Sequence, residues 1–358
     1  MGFIISSLTT RPSLSDLLDK LNSFILNKYL IAAIILVIML VFKTKLFVNP
    51  SSSKAEIEYY ATIGDWERIL QNKDKISIED RVEVNLLNRA FYHTGKMASD
   101  MFSFPQVWGE YSLLLKDSNS KTVVWISDLY YDFGFVKAAE YWALESQTFY
   151  AYSPHLMKRL ASCALLLKEY PMAEKYLTIL RKSTIYHPWV DQIDQIMSKG
   201  DTTLLTHMLI ANKPLNSDTI DYINTGFPEQ DLIKLHESNK DSKMVYEYLM
   251  SYYLLNNELA KFYDLLPDIR DLNTTQLPPV YQQALLLYDM MKDINPEKNE
   301  FAVSRNIRKQ FFDFNKIMVD QKDPSQIRDL HNEYFSNTYW YYLRYISPKT
   351  LGKEIKTD

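Results

Sequence analysis

The sequence predicts an all-α protein, a transmembrane helix near the N-terminus followed by a tetratricopeptide-like α-solenoid of helical hairpins. Three observations point there. Only 8 of 358 residues are glycine and few stretches alternate apolar with polar residues, which is poor material for sheets and good material for helices. One uninterrupted apolar run occupies residues 29–42, between Lys28 and Lys43. Beyond it, apolar helical segments broken by Gly or Asn recur at nearly constant spacing.

Composition bounds the rest. Hydrophobic residues make up 47% of the chain, which suits a folded body with a buried core and excludes a disordered one. Twenty-six tyrosines supply most of the aromatics; with an apolar ring and a polar tip, they suit seams between stacked helices. The net charge of −4, with no Lys/Arg run longer than two, lacks the basic stripe of a nucleic-acid partner.

Residues 1–23 contain Leu14, Leu17, Leu18 and Leu21 on one helical face, capped by Ser13 with Asp16 in the first turn. That amphipathic segment fits a membrane interface, or packing on the chain's own soluble domain or on a partner's membrane helices. Residues 24–48 are read as the transmembrane helix. The 14-residue apolar run spans only about 21 Å, short of a hydrocarbon core of roughly 30 Å. Phe24 to Leu26 and Leu46 to Val48 extend it, and Lys28, Lys43 and Lys45 can snorkel towards the headgroups. The competing readings are a signal peptide and a buried core helix; the 28 residues before the run and the two lysines after it argue against a cleaved signal peptide. Basic residues balance across the span, with Arg11, Lys20 and Lys28 before it and Lys43, Lys45 and Lys54 after it. The short tail and large body follow the layout of an N-in anchor, so the expectation is a single-pass membrane protein with an extracytoplasmic body.

Residues 49–54 read as a linker and residues 55–199 as a stack of hairpins. Turns at Gly64, Gly95, Gly134 and near Glu169 recur at 31, 39 and 35 residues, bracketing the ~34-residue tetratricopeptide period. Gly or Asn at such a turn can take the left-handed conformation that ends a helix. Ala138 and Ala173 follow their turns at matching positions and allow close helix approach. Between residues 200 and 240 the period weakens around Gly200, Pro214, Gly226 and Pro228, and an irregular connection is expected. Residues 241–358 then form a C-terminal helical-repeat unit ending in an aromatic capping helix.

No phosphate loop, zinc motif or nucleophile elbow is present, and no enzyme activity, cofactor or metal is expected. The six histidines show no ligand spacing. Asp128 and Asp132 lie one helical turn apart and read as a solvated face. Cys163, the single cysteine, sits among Ala161, Ala164 and Leu165 and reads as a buried, inert thiol. The densest signal is residues 334–345, where Tyr339, Trp340, Tyr342 and Arg344 are candidates for contacting a peptide or sugar. The structural alternative is a cap whose aromatics close the last repeat.

Several stretches carry a family resemblance: residues 85–90 with Thr94 to Lys96, 158–161 with 173–177, 246–256, 279–285 and 338–344, in that order along the body. They resemble a family of Bacteroidota membrane proteins classified as a domain of unknown function. The resemblance implies a Gram-negative inner-membrane protein with a C-terminal helical-repeat domain. Members often carry several membrane helices before that domain, whereas this chain shows one. No catalytic residue is implied. The functional expectation is a non-enzymatic scaffold holding a membrane-associated protein partner and meeting the bilayer through residues 24–48. The alternative is a ligand-binding or accessory subunit of a membrane enzyme complex handling glycans.

Overall fold

The computed structural model describes residues 50–115, 119–151, 153–210, 228–272, 277–294 and 301–352. The amphipathic segment 1–23 and the membrane helix 24–48 lie outside these residues. Every regular element among the described residues is helical. None of those helices is long and apolar enough to cross a membrane.

The helices are α1 Pro50–Ile63, α2 Trp66–Gln71, α3 Arg81–His93, α4 Met97–Asp100, α5 Glu110–Leu113, α6 Val123–Asp132 and α7 Val136–Tyr150. They continue with α8 Pro154–Leu166, α9 Tyr170–Leu180, α10 His187–Ser198, α11 Thr202–Ile210, α12 Pro228–Ser238 and α13 Lys243–Leu255. The last are α14 Leu259–Leu265, α15 Pro279–Met291, α16 Arg305–Asp320, α17 Pro324–Phe335 and α18 Tyr339–Tyr341, followed by a π turn at Tyr342–Ile346. Helix α1 is described from Pro50, so residues 50–54 of the stretch read as a linker are helical. The chain divides at Glu56, and residues from Ile57 onward form one compact unit.

One turn chemistry recurs through that unit. At Gly95 the glycine N–H bonds to the Tyr92 carbonyl, and the next N–H, of Lys96, reaches back to Phe91. This doubly bonded turn needs one left-handed residue, and Gly95 has φ +71°. Nothing lies within 4 Å of a Cβ built there, so conformation rather than space calls for glycine. The same pair of bonds closes helices at Gly64, Gly134, Lys168, Gly200, Asn257 and Asp293. The turn expected near Glu169 therefore has Lys168 as its left-handed residue, at φ +62°. The first five of these residues, Gly64 to Gly200, are spaced by 31, 39, 34 and 32 residues.

Each turn folds a helix back on its predecessor, so α6 packs on α7 and α8 on α9, with α7 and α8 also in contact. Small residues set the approach. Ala138 and Ala173 are both buried, and the Ser127 hydroxyl donates to the Ala139 carbonyl at 2.7 Å, which fixes α6 against α7. Two of the helices, α11 and α12, fall within residues 200–240, the stretch read as irregular.

The core crosses the chain rather than following it. One apolar cluster joins Ile57, Leu86, Met101 and Ile126 to Tyr248, Phe262, Leu285 and Tyr339. A second, smaller cluster lies among α7–α11. Helix α13 packs on α4 and α5, and α15 on α4. Tyr92 of α3 and Phe133 both meet the Tyr248 ring edge-on, at 6.0 and 5.0 Å. Asn256 donates to Glu110 across this seam. The C-terminal helices thus cover the turn of an N-terminal hairpin, beyond the neighbour-only contacts of an ideal repeat array.

Candidate functional site

Helix α6 reads VVWISDLYYD, with two aspartates as its only charged residues, and all but one of its residues are buried. It has no solvent face. Asp128 and Asp132 share a stripe, as their spacing requires, but that stripe faces α3 and α8. The solvated reading of this pair is therefore corrected: the helix is enclosed and its acids are paired with arginine and histidine side chains of its neighbours.

Those partners come at matching spacing. Helix α3 presents Arg89 and His93, and α8 presents His155 and Arg159, each pair four residues apart and so on one helical face. Arg89 Nη2 and His93 Nε2 lie 2.9 and 3.0 Å from Asp132 Oδ2. Arg159 donates from Nε and Nη2 to Asp128 Oδ1 at 3.0 and 2.8 Å, while His155 Nε2 lies 3.0 Å from Oδ2. Arg89 Nη1 is buried without a hydrogen bond, 4.0 Å from Asp128 Oδ2, and joins the two triads. Aromatic faces complete the enclosure. Trp66 stacks on His93 with centroids 4.3 Å apart, and the Arg159 guanidinium lies 3.6 Å from the Tyr131 ring centre.

Burial alone would raise the Asp128 pKa, but His155 and Arg159, and then Arg89, outweigh it and hold the carboxyl far below the usual range. A carboxylate pinned this way does not exchange a proton near neutral pH. Its role is to bind charge and hold helices.

The network opens on one side into a pocket of about 170 Å³. Tyr131 of α6, His155, Lys158 and Arg159 of α8, Trp189 of α10 and Leu209 of α11 form its walls. Lys158 stands apart from the other cations. Its ammonium lies 5.5 Å from the Trp189 ring centre and 5.7 Å from that of Tyr186, and among the described residues it has no carboxylate within ion-pair distance. Burial, then repulsion from Arg159, lowers its pKa. The Tyr131 hydroxyl donates to the Leu209 carbonyl at 2.8 Å and closes the floor. Among the described residues no group of three or more His, Cys, Asp or Glu could hold a metal ion.

The C-terminal candidates fall elsewhere. Tyr339, Trp340 and Tyr342 are core residues at 0, 2 and 2% exposure, and only Arg344 lies at the surface. The Tyr339 and Tyr342 hydroxyls donate to the Leu254 and Leu255 carbonyls at the end of α13, and Trp340 Nε1 donates to Gln283 of α15. The two tyrosine donors satisfy carbonyls in the last turn of α13, and the Tyr339 and Tyr342 rings pack on Phe102. As placed, the three rings leave no face for a peptide or sugar to stack on. Cys163 is fully buried, and burial, with Arg159 opposing, pushes its thiol pKa up to about 12.

Of the six network residues the sequence shows Asp128 and Asp132 as a pair, but nothing local ties that pair to the arginines and histidines of α3 and α8. The available signal was relational: two Arg/His pairs at one-turn spacing on largely apolar helices, and an acidic pair on a helix with no other charge.

Fold and site together define an all-helical protein of hairpins, with a buried Arg–Asp–His core beside a cationic pocket. The chain belongs to the family of unknown function DUF6057, whose match covers residues 8–346. No curated protein and no solved structure matches it.

Proposed function

We propose that this chain is a membrane-tethered, tetratricopeptide-like α-solenoid that holds a protein partner and carries out no reaction of its own. The observation that carries the reading is the run of identically bonded turns from Gly64 to Gly200, which sets successive hairpins side by side. Such arrays present extended surfaces for partners. Tyr141, Leu144 and Phe149 project from α7 at 52, 45 and 54% exposure and give the partner apolar contacts. The tether is the apolar run at residues 29–42, with the body on the periplasmic side of the inner membrane.

A photo-crosslinking residue placed at Tyr141 or Leu144 in cells should give one discrete adduct, missing when the probe stands at exposed Lys199. Identical products from all three positions would sink the scaffold reading. For orientation, cysteines at Ser7 and Ser52 report each flank against a silent, buried Cys163. An impermeant label should reach Ser52 and not Ser7 in intact spheroplasts; the opposite pattern overturns the periplasmic placement.

A second reading, a ligand-binding subunit, is favoured by the pocket beside Lys158. Its cationic wall suits an anionic ligand better than a neutral sugar.

A further inference from the structure

We propose that the pocket between α6, α8, α10 and α11 binds a small organic carboxylate, its anionic group on Lys158 and Arg159 and its apolar part on Trp189, Met208 and Leu209. The argument begins with local charge. Arg89, Arg159 and Lys158 bring three positive charges to this region, and Asp128 and Asp132 bring two negative ones. Counting the arginines, the lysine and the aspartates alone, one positive charge is left over, and Lys158 carries it on the pocket wall. A monoanion balances it.

The geometry gives that anion its donors. Arg159 spends Nε and Nη2 on Asp128, and Nη1 makes no hydrogen bond among the described residues. Lys158 meets only aromatic faces among the described residues. Lys158 and Arg159 are neighbours on α8 and line the same wall. The guanidinium is pre-positioned, because Asp128 fixes it and Tyr131 supports it from beneath. The hydroxyls nearby have already committed their protons: Thr62 to Glu58, Ser162 to Lys158 and Tyr131 to Leu209, all to backbone carbonyls. Apart from the Trp189 indole N–H, the donor capacity of the lining lies on the cationic wall, which favours one oxyanion over a sugar with many hydroxyls.

Size and polarity set the remainder of the ligand. At about 170 Å³ the pocket is smaller than the ~300–1,000 Å³ sites that engulf drug-sized molecules. Trp189, Met208 and Leu209 make an apolar wall, so the ligand is amphiphilic. A second pocket, of about 140 Å³ beside Met197 and Leu205, has no basic side chain in its lining.

The test is titration of the detergent-solubilised full chain with benzoate, benzamide and inorganic phosphate, followed by calorimetry and tryptophan fluorescence. Benzoate should saturate, its uncharged isostere benzamide should not compete, and raised salt should weaken binding. K158M, which keeps an apolar stem over Trp189, should weaken benzoate at least tenfold, with K199M unchanged. Should K158M lose its helical circular-dichroism signal, K158Q takes its place, and the benzoate–benzamide comparison on the unaltered chain decides independently. Absence of saturation, equal binding of benzamide, or wild-type affinity in K158M overturns the proposal. Saturable phosphate without benzoate overturns the carboxylate assignment. None of these outcomes bears on crosslinking at Tyr141, so the pocket and the scaffold reading fail separately.

Discussion

Asp128 and Asp132 stand one turn apart on α6, and each closes an ion pair with an arginine and a histidine from a different neighbouring helix. Asp132 reaches α3 and Asp128 reaches α8, so a single buried helix is clasped from two sides by the same three residue types. A buried pair of this kind adds little over a well-packed apolar core, but it penalises every arrangement in which a charge loses its partner. That penalty fixes the register of α3, α6 and α8, and the placement of the pocket wall follows from it.

Removing one partner exposes the penalty. Asp128→Ala leaves Arg159 and His155 buried without their acceptor, and a loss of about 3–5 kcal/mol is expected. Asp194→Ala is the contrast, because its pairing with Arg181 is solvent-exposed, and it should cost no more than about 1 kcal/mol. Denaturant titration followed by circular dichroism compares the two, and equal losses would contradict the buried-clasp account.

Acid should destabilise the fold in two stages. His331 is buried, stacked on Phe314 at 3.9 Å, with Nε2 donating to the Phe314 carbonyl and Nδ1 accepting from Tyr345. Burial lowers its pKa. A histidine with a lowered folded pKa contributes stability that is present above its unfolded value, about 6.5, and is lost as pH falls below it. Asp128, also lowered, contributes stability present above about 3.9 and lost further down. The melting temperature should decline from pH 7 to 5, less steeply in His331→Gln, and then fall again below pH 4. Equal slopes for the two proteins between pH 7 and 5 would refute the histidine assignment.

These residues also mark what could be read from sequence. Local signals carried the helix ends well: the turns at Gly64, Gly95, Gly134 and Asn257 use the residue types that tolerate positive φ. Lys168 was missed by one position because a lysine carries no such signature. The seam of α13 and α15 against α4 and α5 was not legible, because it depends on pairings such as Tyr92 with Tyr248, far apart in the chain. The triads were hidden for the same reason: an acidic pair looks alike on a solvated face and in a core until the helix opposite is known.

The thiol of Cys163 should be silent. With its pKa pushed up to about 12 and no exposed surface, it presents almost no thiolate at pH 8. A disulfide-exchange reagent should leave it unmodified in the folded chain and react stoichiometrically in denaturant. Rapid labelling without denaturant would mean that α8 opens locally.

Turn residues should trade stability predictably. Lys168 holds φ +62° without being glycine, so Lys168→Gly should gain about 0.5–1 kcal/mol. Gly95→Ala imposes that strain where it is now absent and should lose about 1 kcal/mol. Opposite shifts in the urea midpoint are the expected readout, and shifts of the same sign would contradict the common turn chemistry.

The C-terminal aromatics separate a cap from a binding face. Trp340 fills the core between Phe311 and Phe314, with centroids 4.9 and 6.1 Å away, and bonds to Gln283. Trp340→Ala should therefore cost about 3–5 kcal/mol. Tyr342→Phe keeps the ring on Phe102 but strips a donor from the Leu255 carbonyl, and about 1 kcal/mol is expected. Arg344, exposed and bonded only to the adjacent Tyr345 hydroxyl, should be replaceable by alanine without a change in stability. Residues that made one sugar-binding face would instead lose sugar-induced stabilisation together while each variant stayed folded. Thermal melts of the three variants, with and without a sugar panel, distinguish these patterns. Stable Trp340→Ala protein that had lost a wild-type sugar response would move this segment from the core to the binding surface.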